Sequence, residues 1–161
     1  MPGNHAGLKG CFNMESRMSD IDKIERLISE GRLTFQHPKF RENLLGNSVS
    51  ADLLALVVHL CSLESKIEIS SVIRPARGHP QGQAVDIGNE KVARTLLPRL
   101  ATDAEVKRLK IDQIIFDARQ ASADNEPNRW NYNGGRKATY GAGDLQDHRN
   151  HIHLAVMSSM V

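Results

Sequence analysis

The segment DHRNHIHLAVM, residues 147–157, carries the pattern from which the fold can be inferred. Successive side chains of a β-strand point to opposite faces, so the alternation after residue 150 predicts a strand whose apolar positions, beginning with Ile152, face a core. His151 and His153 then lie side by side on the other face. Taken alone, this segment indicates either a half-exposed strand with two solvated histidines or one edge of a functional site.

A second segment, GHPQGQAVD at residues 78–86, places further ligand-type side chains near a strand. Its prolines and glycines predict a tight loop that contains His79. In the short strand that follows, Val85 faces the core and Asp86 faces the opposite side. An imidazole and a carboxylate are therefore expected at one rim of the sheet.

Together the two segments predict a metal centre formed by His79, Asp86 and His153. Two nitrogens and one oxygen from three residues leave one of the four tetrahedral positions of zinc open, which is the ligand count of a catalytic site. Neither Cys11 nor Cys61 lies near these segments, so a closed thiolate site is not expected. The prediction assumes that the strands carrying Asp86 and His153 are neighbours; the alternative is a small α+β protein with incidental histidines.

The rest of the chain predicts an α+β domain in which N-terminal helices pack on a small antiparallel sheet that carries the zinc site. Residues 1–18 lack periodicity and are expected to form a flexible tail, which leaves residues 19–161 as a single domain. The predicted helices begin at Ser19, Ser50, Asn89 and Thr102, and the predicted strands cover residues 67–73, 83–88, 111–118 and 151–157.

Residues 119–149 are rich in Asn, Gly, Asp and Arg and predict one long loop. A loop of this length in a compact domain is usually functional or disordered. It carries three aromatic residues, Trp130, Tyr132 and Tyr140, which we expect to form a wall or lid that contacts a substrate. The alternative is an unstructured insertion whose aromatic residues have no such role.

Composition bounds the class of protein. The chain has 161 residues, of which 40% are apolar and 25% charged, as in ordinary globular domains, and its net charge is +2. No run of basic residues points to nucleic acid, and the His-Asn-His letters of residues 147–153 lack the strand–strand–helix spacing of a nuclease motif. No apolar stretch is long enough to cross a bilayer. The N-terminus has no signal-peptide pattern, so synthesis in the cytoplasm is expected.

The two histidine segments also resemble a known family. His-x6-Asp followed far downstream by His-x-His is similar to the signature of the zinc peptidases that include D-alanyl-D-alanine carboxypeptidases, murein endopeptidases, phage endolysins and the fold of hedgehog domains. The stretches that carry the resemblance are ISSVIRPARGHPQGQAVDIG and DHRNHIHLAV, and the resemblance covers roughly residues 50–157.

Transferred by position, the resemblance implies one zinc ion per chain, held by His79, Asp86 and His153. It implies that His151 stabilises the transition state or moves protons and that Arg74 binds a substrate carboxylate or the developing oxyanion. Many members carry a catalytic acid three residues before the last ligand, where this chain has an asparagine. Asp147, six residues before that ligand, is then the acidic candidate for general base.

The function that follows is hydrolysis of an amide bond in peptidoglycan stem peptides or cross-links, without identification of the bond. The alternative is a catalytically silent zinc-binding recognition module of the same fold. Because the expected substrate lies outside the cytoplasm, the enzyme would reach it after injection by a delivery machinery, as part of a phage particle, or after lysis.

Overall fold

The computed structural model describes residues 6–72, 83–122 and 125–158, with side chains from residue 14 onward. This part of the chain is a mixed α and β structure with one seven-stranded sheet. The strands are β1 (Leu33–Phe35), β2 (Ile67–Val72), β3 (Ala84–Ile87), β4 (Ile111–Ile115), β5 (Tyr132–Asn133), β6 (Arg136–Lys137) and β7 (Ile152–Val156).

Six α-helices accompany the sheet in the described residues. They are α1 (Ala6–Ser29), α2 (Pro38–Leu45), α3 (Ala51–Leu63), α4 (Ala93–Leu100), α5 (Asp103–Arg108) and α6 (Ala142–Asp147). Side chains at the predicted N-termini cap two of them: the Ser50 hydroxyl accepts from the N–H of Leu53 at 3.2 Å, and the Thr102 hydroxyl accepts from that of Glu105 at 3.3 Å.

The spatial order of the strands is β1-β2-β3-β7-β4-β5-β6. All neighbouring pairs are antiparallel except β1 and β2, which run parallel. The α+β class is therefore as expected, but the sheet is mixed and larger than the small antiparallel sheet that was predicted. The difference arises because the three-residue strand β1, whose pattern is too short to recognise, joins the edge of the sheet beside β2.

The core lies between the helices and one face of the sheet. Helix α3 is apolar on nearly all sides, and it contacts both α1 and β7. Leu53, Leu56 and Leu60 of α3 are completely buried, as are Ile152 and Leu154 of β7. The other face of β7 is left for the histidines, so packing of the apolar face fixes which way the polar side chains point.

Two predicted boundaries differ from the structure. Helix α1 begins at Ala6, within the segment expected to be a tail, and the Arg17 guanidinium donates to the carbonyl oxygens of Gly46 and Val49, which ties this turn to the α2–α3 connection. The loop predicted over residues 119–149 contains β5, β6 and α6. Long-range polar contacts, which have no periodicity in the sequence, order both regions.

Amide side chains organise much of that second region. Asn131 is fully buried; its Oδ1 accepts from the N–H of Phe116 at 2.9 Å, and its Nδ2 donates to Asn128 Oδ1 at 2.7 Å. Asn128 Oδ1 also accepts from the N–H of Tyr140 at 2.9 Å.

Within the residues described, no helix combines the length and the apolar character required to cross a bilayer.

Candidate functional site

Asp86 and His153 occupy directly opposed positions on neighbouring strands. Strand β3 pairs with β7 in antiparallel register, and Asp86 is the partner of His153. The His153 Nδ1 atom lies 2.8 Å from Asp86 Oδ1, and the two residues are only 7% and 2% exposed. The metal-site hypothesis required these two strands to be adjacent, and they are.

Two more imidazoles lie beside this pair. The ring of His148 is centred 5.0 Å from that of His151 and 5.5 Å from that of His153. The sequence argument did not assign His148, although it is one of three histidines within six residues. The signal was present, but His148 precedes the strand, so strand alternation could not place it.

The hydrogen bonds of the Nδ1 atoms determine which ring nitrogen of His148 and of His151 carries the lone pair. His148 Nδ1 lies 2.6 Å from the carbonyl oxygen of Asp144, which can only accept, so His148 Nδ1–H is the donor. His151 Nδ1 lies 2.9 Å from Asn150 Oδ1 and donates to it in the same way. In the neutral rings the lone pair therefore resides on Nε2, the form in which an imidazole accepts a proton or binds a metal.

The donor atoms of Asp86 and His153 fit one zinc ion. Two ligand atoms at about 2.0–2.1 Å from zinc, at the tetrahedral angle, are roughly 3.3 Å apart. The observed 2.8 Å is shorter by about half an ångström, a difference that small side-chain rotations remove. Among residues 6–72, 83–122 and 125–158, no group of three or more His, Cys, Asp or Glu side chains is arranged to hold a metal ion. A third protein ligand must therefore come from residues outside these ranges, or from a neighbouring side chain after it rotates toward the metal.

For three predicted catalytic or metal-binding residues, the described part of the chain shows no contact with this cluster. His79 and Arg74 lie outside the described residues. Asp147 is the last residue of α6 and is exposed. It lies one residue before His148, but within the described residues no hydrogen bond or ion pair joins its carboxylate to the imidazoles. Its proposed role as a base is therefore supported by sequence position alone.

The aromatic residues predicted to form a substrate wall are mostly packed inward. Trp130 and Tyr132 are 8% and 1% exposed and belong to the hydrophobic core, which differs from the expected exposed surface. The Tyr132 hydroxyl donates to Asp103 Oδ1 at 2.9 Å, and burial raises the pKa of Tyr132 to about 12. Tyr140 is partly buried, and its hydroxyl donates to the carbonyl oxygen of Tyr132 at 3.0 Å. Of the three, Tyr140 alone retains appreciable exposure.

The buried Asp117, paired with the half-exposed Arg119, lies next to the backbone of His148. The Asp117 N–H donates to the carbonyl oxygen of His148 at 3.3 Å. The Asp117 carboxylate accepts two hydrogen bonds from the Arg119 guanidinium, at 2.9 and 2.7 Å, and these bonds hold the pKa of Asp117 below its ordinary value. Arg119 therefore favours the ionised form of the Asp117 carboxylate, while the Asp117 backbone N–H contacts the chain at His148.

An open polar cavity of about 520 Å³ lies in the neighbouring loop region. The Ala118 N–H donates to the carbonyl oxygen of Pro127, a lining residue, so two consecutive residues after β4, Asp117 and Ala118, contact the backbone of His148 and the wall of this cavity. The described lining consists of Asn125, Glu126, Pro127, Asn128, Arg129, Lys137, Ala138 and Thr139.

Comparison of the chain with family models, with curated proteins and with solved structures finds no match. The features that bear on function are therefore the spacing of the two histidine segments and the cluster formed by Asp86, His148, His151 and His153.

Proposed function

We propose that this chain is a zinc-dependent peptidase that hydrolyses an amide bond in peptidoglycan stem peptides or cross-links. The observation that carries the proposal is the buried Asp86–His153 pair, a carboxylate oxygen and an imidazole nitrogen held 2.8 Å apart on adjacent strands beside two further imidazoles. The resemblance supplies His79 as the third ligand of one zinc ion per chain. A bound zinc ion would supply Lewis-acid polarisation of the scissile carbonyl and a water whose pKa is lowered to about 7.

His151 is the residue to which the resemblance assigns the movement of the proton. Its Nδ1–H is anchored on Asn150, so the lone pair on Nε2 can take the proton of the attacking water and then deliver it to the leaving amine. Asp147 is the acidic alternative for this step. Arg74, by resemblance, would stabilise the negative charge that develops on the carbonyl oxygen.

The proposed substrate also sets where the protein would act. Peptidoglycan lies outside the cytoplasm, so the proposal includes delivery of the protein to the wall by an injection machinery, a phage particle or lysis. Tyr140, which keeps part of its surface exposed, is the aromatic residue we place nearest to a bound peptide.

Asn150 favours a second candidate, a zinc-binding recognition module without turnover. It stands where many members of the similar family carry the catalytic acid, and its side chain is engaged with His151. A module of this kind would bind zinc and cell-wall peptide but release no product.

The test combines metal content with digestion of muropeptides. The parent should hold one zinc per chain and produce new muropeptide peaks, and His153→Ala should lose both. His151→Ala should keep much of the zinc and lose turnover, because it acts on the proton. His37→Asn changes an exposed histidine that is not part of the cluster, keeps a side chain able to accept from the N–H of Lys39, and should behave as the parent.

The outcomes separate the two candidates. Zinc without new peaks in the parent would favour the recognition module, while the absence of zinc from the parent would reject both. Equal loss of zinc in His151→Ala and His153→Ala would contradict the division of roles between these residues.

A further inference from the structure

Strand β2 contains one extra residue exactly where it passes the candidate site. Ile69 is the partner of Ile87, but Ser71 is the partner of Asp86, so two steps along β2 correspond to one step along β3. The extra residue is Ser70, and the irregularity is a β-bulge. Bulges occur often beside active sites, where they redirect a side chain.

This bulge changes the face on which Ser71 lies. In regular antiparallel pairing, Ser71 would stand opposite Val85 and face the core, because Ile69 stands opposite Ile87. With the extra residue, Val72 takes the place opposite Val85 instead. Ser71 moves to the other face, where the site is.

The result is a row of three polar residues across three strands. Ser71 is the partner of Asp86 on β3, and Asp86 is the partner of His153 on β7. The three residues are 9%, 2% and 7% exposed, so the row is buried. The adjacent row, formed by Val72, Val85 and Leu154, is apolar and belongs to the core.

Close packing holds the bulge in place. The Ser70 hydroxyl donates to the backbone carbonyl of Asp86 at 3.4 Å. A Cβ added at Gly88 would lie 2.9 Å from the Ser70 Cβ and 2.4 Å from Gln36 Nε2. The close approach of residue 88 to Ser70 and Gln36 therefore requires glycine. The backbone around Asp86 is therefore fixed on the side of β2 as well as on the side of β7.

We propose that Ser71 is a positioning residue whose hydroxyl orients the Asp86 carboxylate toward His153. Directly opposed residues of antiparallel strands have Cβ atoms about 4.5–5.5 Å apart, which brings a serine hydroxyl within hydrogen-bonding reach of a carboxylate. One carboxylate oxygen then faces Ser71 while Oδ1 faces His153. The consequence for zinc affinity rests on the proposed function; the orientation of Asp86 does not.

The test compares two adjacent serines. Ser71→Ala should weaken zinc binding by roughly 10- to 100-fold in competition with a chelator, as expected when a residue that orients a ligand is removed. Ser71→Thr keeps a hydroxyl and should restore the affinity. Ser70→Ala is the matched control and should bind zinc as the parent does, because alanine keeps the Cβ that packs against Gly88 and loses only a long, 3.4 Å hydrogen bond to backbone.

A second readout does not depend on zinc. In the full chain stripped of metal, the Nδ1–H proton of His153, which donates to Asp86, should give a slowly exchanging NMR signal. Ser71→Ala should broaden or shift this signal, and Ser70→Ala should not. Failure of the parent to bind zinc would reject the proposed function while the NMR comparison still decides on Ser71. An unchanged signal in Ser71→Ala, or equal effects of the two alanine variants, would overturn the positioning role.

Discussion

Replacing Asp86 by asparagine removes a charge from the candidate metal site while it keeps an oxygen that can accept a hydrogen bond from His153. The pair is buried and its atoms are 2.8 Å apart, so an isosteric residue should occupy the same space. Without metal, the free energy of unfolding should change by no more than about 1 kcal/mol, because the hydrogen bond remains. With zinc, Asp86→Asn should differ greatly from the parent, because a neutral amide is a much poorer zinc ligand than a carboxylate.

The magnitude follows from linkage between binding and folding. Zinc at 1,000 times its Kd stabilises the parent by about 4.1 kcal/mol. A domain of this size gains about 2–4 °C in Tm per kcal/mol, so the parent should melt roughly 8–16 °C higher with zinc than with chelator. If Asp86→Asn binds a thousandfold more weakly, the same zinc concentration contributes only about 0.4 kcal/mol, or roughly 1–2 °C.

The assay is thermal unfolding followed by circular dichroism, in zinc buffer and in chelator. Asp22→Asn, an exposed change on α1, is the matched control and should keep the full zinc-dependent shift. A parent whose Tm does not depend on zinc would refute the metal site, and full retention of the shift in Asp86→Asn would remove Asp86 from the ligand set. A large loss of stability without metal would show that asparagine does not preserve the contact with His153.

Two further predictions concern the parts of the fold that support the site. Tyr132→Phe removes the hydrogen bond to Asp103 and should cost about 1 kcal/mol, seen as a Tm lower by about 2–4 °C; an unchanged Tm would contradict a stabilising role for this bond. The folded-state pKa of Asp117 is lowered by Arg119, so its stabilising contribution is present above the unfolded pKa of about 3.9 and is lost as pH falls through the lower folded value. Urea unfolding of Arg119→Met should therefore show a deficit at pH 7 that shrinks in acid, and a deficit independent of pH would refute this origin.

Local patterns were sufficient for the main elements of the fold. The alternation after residue 150 predicted β7 and the face on which His153 lies, and the apolar run in residues 53–63 predicted the buried helix α3. Ser50 and Thr102 marked helix N-termini that the structure contains. These features were readable because each depends on residues close together in the chain, through the strand period of two or a cap within one turn.

Structural features that depend on residues distant in the chain could not be predicted from local sequence patterns. Helix α1 begins before Ser19, and Trp130 and Tyr132 are packed into the core although they lie in a stretch that looks like a polar loop. The decisive contacts there come from residues far away in sequence, such as the one between Asn131 and the backbone of Phe116. A pattern of hydrophobicity carries no information about such polar contacts.

For the candidate site, the sequence by itself determined which residue types were present and that Asp86 and His153 each face away from a core. Only the tertiary structure decided that β3 and β7 are neighbours, that His148 joins the cluster, and that a bulge places Ser71 opposite Asp86. The physical reason is that strand order and register are chosen by burial of whole apolar faces, a property of the assembled sheet and not of any one segment.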